Sequence, residues 1–172
     1  MIRLTQNIDK WIVPDWATYV ECENCELESI VLHENVEFLF AQNNLIKELH
    51  VPSGIRCLDV KNNKITRITS NGPLVGLFSL DIRNNNISRL ELDIADSVDN
   101  AYILGNPNIR IKNPLWLFSN DYALITTDLY KKLLDEHLRA RLYHLCQIGV
   151  EYVDLDRLSE DQYCESLGLD VS

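Results

Sequence analysis

The sequence has few of the features that mark nucleotide enzymes, membrane proteins or secreted proteins. Only 6 of its 172 residues are glycine, and none of them lies in a phosphate-binding or dinucleotide-binding pattern. No apolar run approaches the roughly 20 residues that a membrane helix needs, and the N-terminus lacks the layout of a secretory signal. We therefore expect a cytoplasmic protein that does not associate with membranes.

Cysteine is also too sparse and too scattered for a disulfide framework. The five cysteines are an odd number in a chain without a secretory signal, so we expect reduced and partly buried thiols. Cys22 and Cys25 form a single C-x-x-C with His33 nearby, whereas a structural zinc site needs four ligands, commonly from two such pairs. We therefore predict neither a metal site nor a cofactor.

The charge is strongly acidic but unevenly distributed. The net charge of −10 divides into −6 for residues 1 to 37, +2 for residues 38 to 119 and −6 for residues 120 to 172. Because a negative surface repels the phosphate backbone, direct nucleic-acid binding is disfavoured. The seven acids and one base of residues 150 to 172 motivate one alternative function. In this alternative, the protein is an inhibitor that imitates nucleic acid and takes its place on a nucleic-acid-binding host protein.

An internal repeat organises the middle of the chain. Four copies of one 11-residue pattern are separated by 19, 22 and 21 residues and begin at Leu39, Leu58, Leu80 and Ala101. Their first and third positions are apolar, which predicts a short strand with these side chains facing inward. The sixth position is asparagine, and we expect a buried ladder that hydrogen-bonds the turn backbone: Asn44, Asn63, Asn85 and Asn106. A degenerate copy at residues 19 to 30 would use Asn24.

The repeat resembles the leucine-rich-repeat family, whose pattern L-x-x-L-x-L-x-x-N-x-L is reproduced by residues 55 to 65 and 77 to 87. The resemblance covers residues 30 to 112 and implies an α/β solenoid of about four to five coils. The proline-containing stretch at residues 51 to 55 resembles the short repeats of bacterial secreted effectors. By analogy, the resemblance implies a bacterial, phage or viral factor that blocks or redirects a host protein in the host cytoplasm.

The sequence predicts three parts. Residues 1 to 29 form an N-terminal cap and degenerate first repeat, residues 30 to 112 the repeats, and residues 113 to 172 a helical C-terminal cap or subdomain. A solenoid needs such caps because its terminal coils expose apolar faces. Leucines at helical spacing predict a helix from Leu129 to Gly149, and a shorter helix follows from Ser159 to Gly168. The size of this part makes it a candidate homodimer surface.

Repeat solenoids bind partners with the outward side chains of their strands, which form a continuous concave surface. The predicted function is therefore a protein–protein interaction module. Its predicted partner-binding residues are Phe40, Arg56, Asp59, Lys61, Phe78, Asp81, Arg83 and Tyr102. A secondary basic edge is predicted at the tenth position of the copies, from Arg67, Arg89 and Arg110.

No catalytic residues are predicted. Cys57 and Asp59 match the C-x-D motif of bacterial repeat effectors that are ubiquitin ligases, but in that family the motif lies in a helical domain after the repeats. His137 and His144 lie about 10.5 Å apart along a helix axis, which is too far for one metal. The remaining enzymatic alternative is a site in the C-terminal helices, around His137, His144, Cys146 and Cys164.

Overall fold

The computed structural model describes residues 1–94, 98–106, 109–112 and 152–154. In these residues every regular element is a β-strand and none is a helix, so no membrane-spanning helix is found among them. The strands are β1 (Ile2–Arg3), β2 (Lys10–Ile12), β3 (Tyr19–Glu21), β4 (Ser29–Val31), β5 (Phe38–Phe40), β6 (Glu48–Val51), β7 (Cys57–Asp59), β8 (Arg67–Ser70), β9 (Ser79–Asp81), β10 (Arg89–Leu90), β11 (Asn100–Tyr102), β12 (Arg110–Lys112) and β13 (Tyr152–Asp154).

The strands wind into a parallel β-solenoid of about five turns. One strand from each coil joins a six-stranded parallel sheet in the order β1-β3-β5-β7-β9-β11. The return strands pair in three smaller sheets: β2 with β4, β6 with β8, and β10-β12-β13. The predicted repeat solenoid is therefore confirmed as an architecture.

The apolar positions of the repeat form the core between these sheets. Leu39, Leu58 and Leu80 are neighbours in the register of the six-stranded sheet, and their side chains are fully buried. The third positions are equally buried, in Ala41, Val60 and Ile82. Burial of one leucine or isoleucine contributes about 1.5 to 3 kcal/mol. The apolar column through successive coils is therefore a large source of stability.

The return side of the coils is extended rather than helical, which departs from the predicted α/β class. In β6 the residues alternate between exposed and buried, and β6 pairs in parallel with β8. That alternation has the period of a strand. Coils of 19 to 22 residues hold two short strands and their turns, and leave no room for a helix of average length, about 11 to 12 residues.

The helical C-terminal cap is not supported by the described residues. Of residues 113 to 172 the structure describes only Tyr152–Asp154, which forms β13 and pairs antiparallel with β12. The two predicted helices, from Leu129 to Gly149 and from Ser159 to Gly168, lie outside the described residues. The predicted dimer surface and the histidines and cysteines of the enzymatic alternative lie outside them too.

The first 31 residues stack by the same pairing as the repeats. Ile2 is the register partner of Val20 in the large sheet, and Trp11 is the register partner of Ile30 on the return side. These residues therefore contribute coils of their own at the N-terminal end of the solenoid. The domain limits at residues 29 and 112 stay a prediction.

Candidate binding surface on the six-stranded sheet

A buried row of asparagine side chains closes the turn after each strand of the large sheet. Its members are Asn44, Asn63, Asn85 and Asn106, all less than a tenth exposed. Asn63 is typical: its Nδ2 donates to the carbonyl oxygens of Ala41 and Val60 at 2.9 and 3.0 Å, and its Oδ1 accepts from the backbone N of Ile46 at 3.1 Å. Each amide therefore satisfies buried backbone groups in its own coil and in the preceding one.

A second row of asparagines lies on the surface, one residue earlier in each copy. Asn43, Asn62 and Asn84 have left-handed backbones, with φ of 58°, 56° and 53°. Their side chains are linked head to tail, because Asn84 Nδ2 donates to Asn62 Oδ1 and Asn62 Nδ2 donates to Asn43 Oδ1, both at 2.8 Å. Asparagine tolerates this conformation better than most residues. The turn after these strands is therefore held by two neighbouring asparagines, one buried and one on the surface.

Cys25, not Asn24, occupies the ladder position in the degenerate copy. Val20 is the register partner of Leu39, and Asn24 has the left-handed φ of the surface row. The Sγ of Cys25 lies 3.4 Å from the carbonyl oxygen of Leu4 and 3.3 Å from that of Glu23, where the other coils place an asparagine Nδ2. Cys22 is fully buried at the third, inward position. The C-x-x-C thus follows from the repeat register.

The burial of Cys22 allows its assignment to an inward position of the repeat to be tested by its reactivity. Burial raises the pKa of Cys22 from about 9 to about 12, and only the thiolate is a good nucleophile. At about pH 8 we expect Cys22 to be alkylated a hundredfold or more slowly in the folded protein than in the unfolded chain. Its folded rate should keep rising through about pH 10, whereas the rate in the unfolded chain levels off above its ordinary pKa. Peptide mass mapping after iodoacetamide treatment measures both rates; equal rates would contradict the core position.

The outward residues of the six-stranded sheet form the surface that we call the sheet face. The predicted residues Phe40, Asp59, Asp81 and Tyr102 are consecutive register partners and form one column. The predicted residues Lys61 and Arg83 follow β7 and β9 two positions further along, while Arg56 and Phe78 immediately precede these strands. The eight predicted partner-binding residues are therefore brought together along β5 to β11.

Ion pairs fix the charged side chains of this face. Lys61 Nζ lies 2.9 Å from Asp59 Oδ2 and 3.8 Å from Asp81 Oδ2, and the hydrogen bond to Asp59 raises the pKa of Lys61. Arg83 binds both carboxylate oxygens of Asp81, at 2.9 and 2.6 Å, and its guanidinium lies 4.9 Å from the ring centroid of Tyr102. Asp81 is 6% exposed. It therefore supports the two cations rather than presenting a carboxylate to solvent.

Aromatic rings cover the neighbouring part of the face. The ring of Tyr19 lies 5.8 Å from that of Phe38 and 5.3 Å from that of Phe40, and Phe38 meets Phe78 edge-on at 6.4 Å. We call these four residues the aromatic patch. Tyr19 and Phe38 were not among the eight predicted residues, although the two are register partners once the degenerate copy is aligned. Phe78 is 36% exposed, so part of this apolar surface faces solvent.

The predicted basic edge is divided between two return-side sheets. Arg67 pairs in register with Glu48 in one sheet, while Arg89 and Arg110 are register partners in another. Arg67 Nε also lies 4.0 Å from Glu91 Oε2. The three arginines therefore do not continue one ladder, and Arg67 lies at the limit of ion-pair distance from an acid of the same chain.

Comparison with known proteins adds no family to this description. No protein-family model, no curated protein and no solved structure matches the chain. In the part of the chain that the structure describes, no three histidine, cysteine or acidic side chains are grouped so that they could hold a metal ion. The sheet face, with its exposed aromatic ring and its ion-paired cations, is the candidate site that the described residues define best.

Proposed function

We propose that this protein is a member of the leucine-rich-repeat class that binds another protein through its sheet face. The single observation that carries the proposal is the partly exposed aromatic patch beside the ion-paired Lys61 and Arg83 on one continuous sheet. Aromatic and arginine side chains dominate the energetics of protein interfaces. We place the action of the protein in the cytoplasm, as the sequence predicts.

The chemical basis of binding would be preorganisation. Side chains that are already held by neighbours lose little conformational freedom on association, so less of the contact energy is spent on ordering them. Arg83 meets this condition because it is bound by Asp81 and stacked on Tyr102. Phe38 and Phe78 meet it because each packs against a neighbouring ring.

Affinity capture from cell lysate with a surface variant tests the proposal. Phe78→Ala with Arg56→Ala removes an exposed ring and a half-exposed guanidinium next to β9 and β7. We expect retention of a partner to fall by about tenfold or more, because truncation of a hot-spot side chain costs about 2 kcal/mol or more. Asp81 is left intact because its loss would remove the carboxylate that holds Arg83 and the more distant of the two acids that meet Lys61.

Val75→Ala is the matched control for this experiment. Val75 is 70% exposed and lies outside the strands of the six-stranded sheet, so its truncation removes apolar surface while every residue of the predicted binding set stays unchanged. Wild type and Val75→Ala should retain the partner equally. Equal retention by the double variant, with an unchanged melting temperature for all three proteins, would contradict binding through this face.

A further inference from the structure

The N-terminal half of the sheet face differs chemically from its C-terminal half. In one column of the face, Phe40 lies between Glu21 and Asp59 as a register partner of both. Neighbouring strands are about 4.8 Å apart, so this ring has a carboxylate-bearing residue on each side. Asp59 is bound by the cation of Lys61, whereas the Glu21 carboxylate accepts a neutral hydrogen bond from the Tyr19 hydroxyl at 3.2 Å and meets Arg3 at 3.4 Å, from a side chain that is 64% exposed. The negative charge on the Glu21 side is therefore weakly compensated.

The C-terminal half of the same face contains an arginine that is held by a carboxylate and an aromatic ring together. The guanidinium of Arg83 is gripped by the carboxylate of Asp81 and lies over the ring of Tyr102. Arginine suits such a place because its planar cation stacks on rings and forms paired hydrogen bonds with carboxylates. Among the described residues, Arg83 over Tyr102 is the one cation–ring contact. The aromatic patch thus has the rings and the acids, but no cation of its own stacked on them.

We propose that the aromatic patch binds an arginine side chain from a basic segment of the partner protein. This inference rests on the proposed function and names the chemistry of the partner. The guanidinium would stack on the rings of Tyr19 and Phe40 and pair with the carboxylates of Glu21 and Glu23. An apolar partner would instead bury these carboxylates without a counter-charge, which is costly.

The charge of the surrounding chain supports a basic partner. Residues 1 to 37 carry a net charge of −6, and Glu23, beside the patch, is exposed. Glu23 Oε1 accepts only a surface hydrogen bond from Asn43 Nδ2, at 3.3 Å. A negative field of this kind raises the association rate of a positive segment and weakens with added salt.

Binding of short homopeptides to the full chain tests the inference directly. The probes are fluorescently labelled octa-arginine, octa-lysine and octa-glutamate, followed by anisotropy at several salt concentrations. We expect octa-arginine to bind about threefold or more tightly than octa-lysine, because stacking on rings favours guanidinium. Octa-glutamate should not bind. Equal affinity for the arginine and lysine peptides would overturn the proposal, because a diffuse negative field does not distinguish them.

Three variants locate the site on the chain. Tyr19→Leu and Phe40→Leu keep apolar bulk but remove a ring, and each should weaken octa-arginine binding by about two- to fivefold. Glu23→Gln should weaken it to a similar extent, roughly two- to fivefold. Glu48→Gln makes the same change of charge on the return strand β6, and it should leave the affinity within about twofold of wild type. If Glu48→Gln weakens binding as much as Glu23→Gln does, the patch is not the site.

Failure of this inference is distinguishable from failure of the proposed function. A partner that is lost on Phe78→Ala with Arg56→Ala, but fully retained by Phe40→Leu and Glu23→Gln, leaves the sheet face as a binding surface and overturns arginine recognition. Loss of the partner with Phe40→Leu and with Glu23→Gln, together with displacement of the partner from the wild-type protein more readily by octa-arginine than by octa-lysine at equal concentration, supports it. Thermal unfolding of each variant shows that the loss is not one of folding.

Discussion

Replacing Asn85 with alanine is expected to lower the free energy of unfolding by about 3 to 5 kcal/mol, because several buried backbone groups lose their partner at once. Asn85 Nδ2 donates to the carbonyl oxygens of Val60 and Ile82, both at 3.0 Å, and Asn85 Oδ1 accepts from the backbone N of Ile65 at 3.0 Å. Asn85 is 4% exposed, so water does not reach these groups easily. Urea unfolding followed by circular dichroism measures the change.

The adjacent asparagine provides the control. Asn86 is exposed, and its backbone N, rather than its side chain, donates a hydrogen bond to the carbonyl oxygen of Ile65. Asn86→Ala should therefore change the free energy of unfolding by less than about 0.5 kcal/mol. Asn85→Asp keeps the size but turns a donor into an anionic acceptor that faces two carbonyl oxygens. It should be at least as destabilising as alanine at neutral pH and recover part of the loss when acid protonates it. Equal effects of Asn85→Ala and Asn86→Ala would contradict the ladder.

Gly105→Ala is expected to cost about 2 to 4 kcal/mol in the free energy of unfolding, from a left-handed backbone and from overpacking. Gly105 has a φ of 74°, and a Cβ on it would lie 2.2 Å from Asn84 Oδ1 and 3.0 Å from the backbone N of Asn84. The amide of Asn84 can rotate away, but the backbone N cannot. Urea unfolding of the variant against wild type measures the loss.

Two further substitutions separate strain from a general effect of removing glycine. At Gly76 an added Cβ would meet its nearest neighbour at 3.9 Å, so Gly76→Ala should be neutral or stabilising by up to about 1 kcal/mol. Gly105→Asn places in the fourth copy of the repeat the residue type that Asn43, Asn62 and Asn84 supply in the other three. We expect it to destabilise less than alanine, because asparagine tolerates the backbone and its Nδ2 can donate to Asn84 Oδ1. Equal stability of Gly105→Ala and Gly76→Ala would contradict the close packing.

The strands of the large sheet and their buried asparagines could be predicted because the apolar and asparagine positions have the same spacing within every copy of the repeat. Leu58 and Leu80 are register partners, as the gapless copies require. The degenerate copy was placed one residue out of register because Cys25 replaces the asparagine that would have marked it. Thiol and amide share only the ability to donate to a carbonyl, and a pattern of residue types does not show that similarity.

The return strands could not be predicted from the same pattern. β6 and β8 have four residues each, and an alternation of that length is shared by many loops. The burial of charged groups on the sheet face also could not be predicted from the sequence. Register gives the direction of Asp81, but its burial depends on Lys61 and Arg83 folding over it from two coils. Tyr19 was missed for a different reason, because the degenerate copy that contains it was one residue out of register.

The two asparagine rows also set how this protein can change over generations. Each ladder amide ties a coil to the one before it, and the copies repeat every 19 to 22 residues. An in-frame duplication of one copy therefore supplies its own amide and presents the same carbonyls to its successor. Each such duplication would lengthen the sheet face by one rung of about 4.8 Å and leave the older rungs intact. The length of the sheet face is therefore a trait that selection can adjust in whole units of one coil.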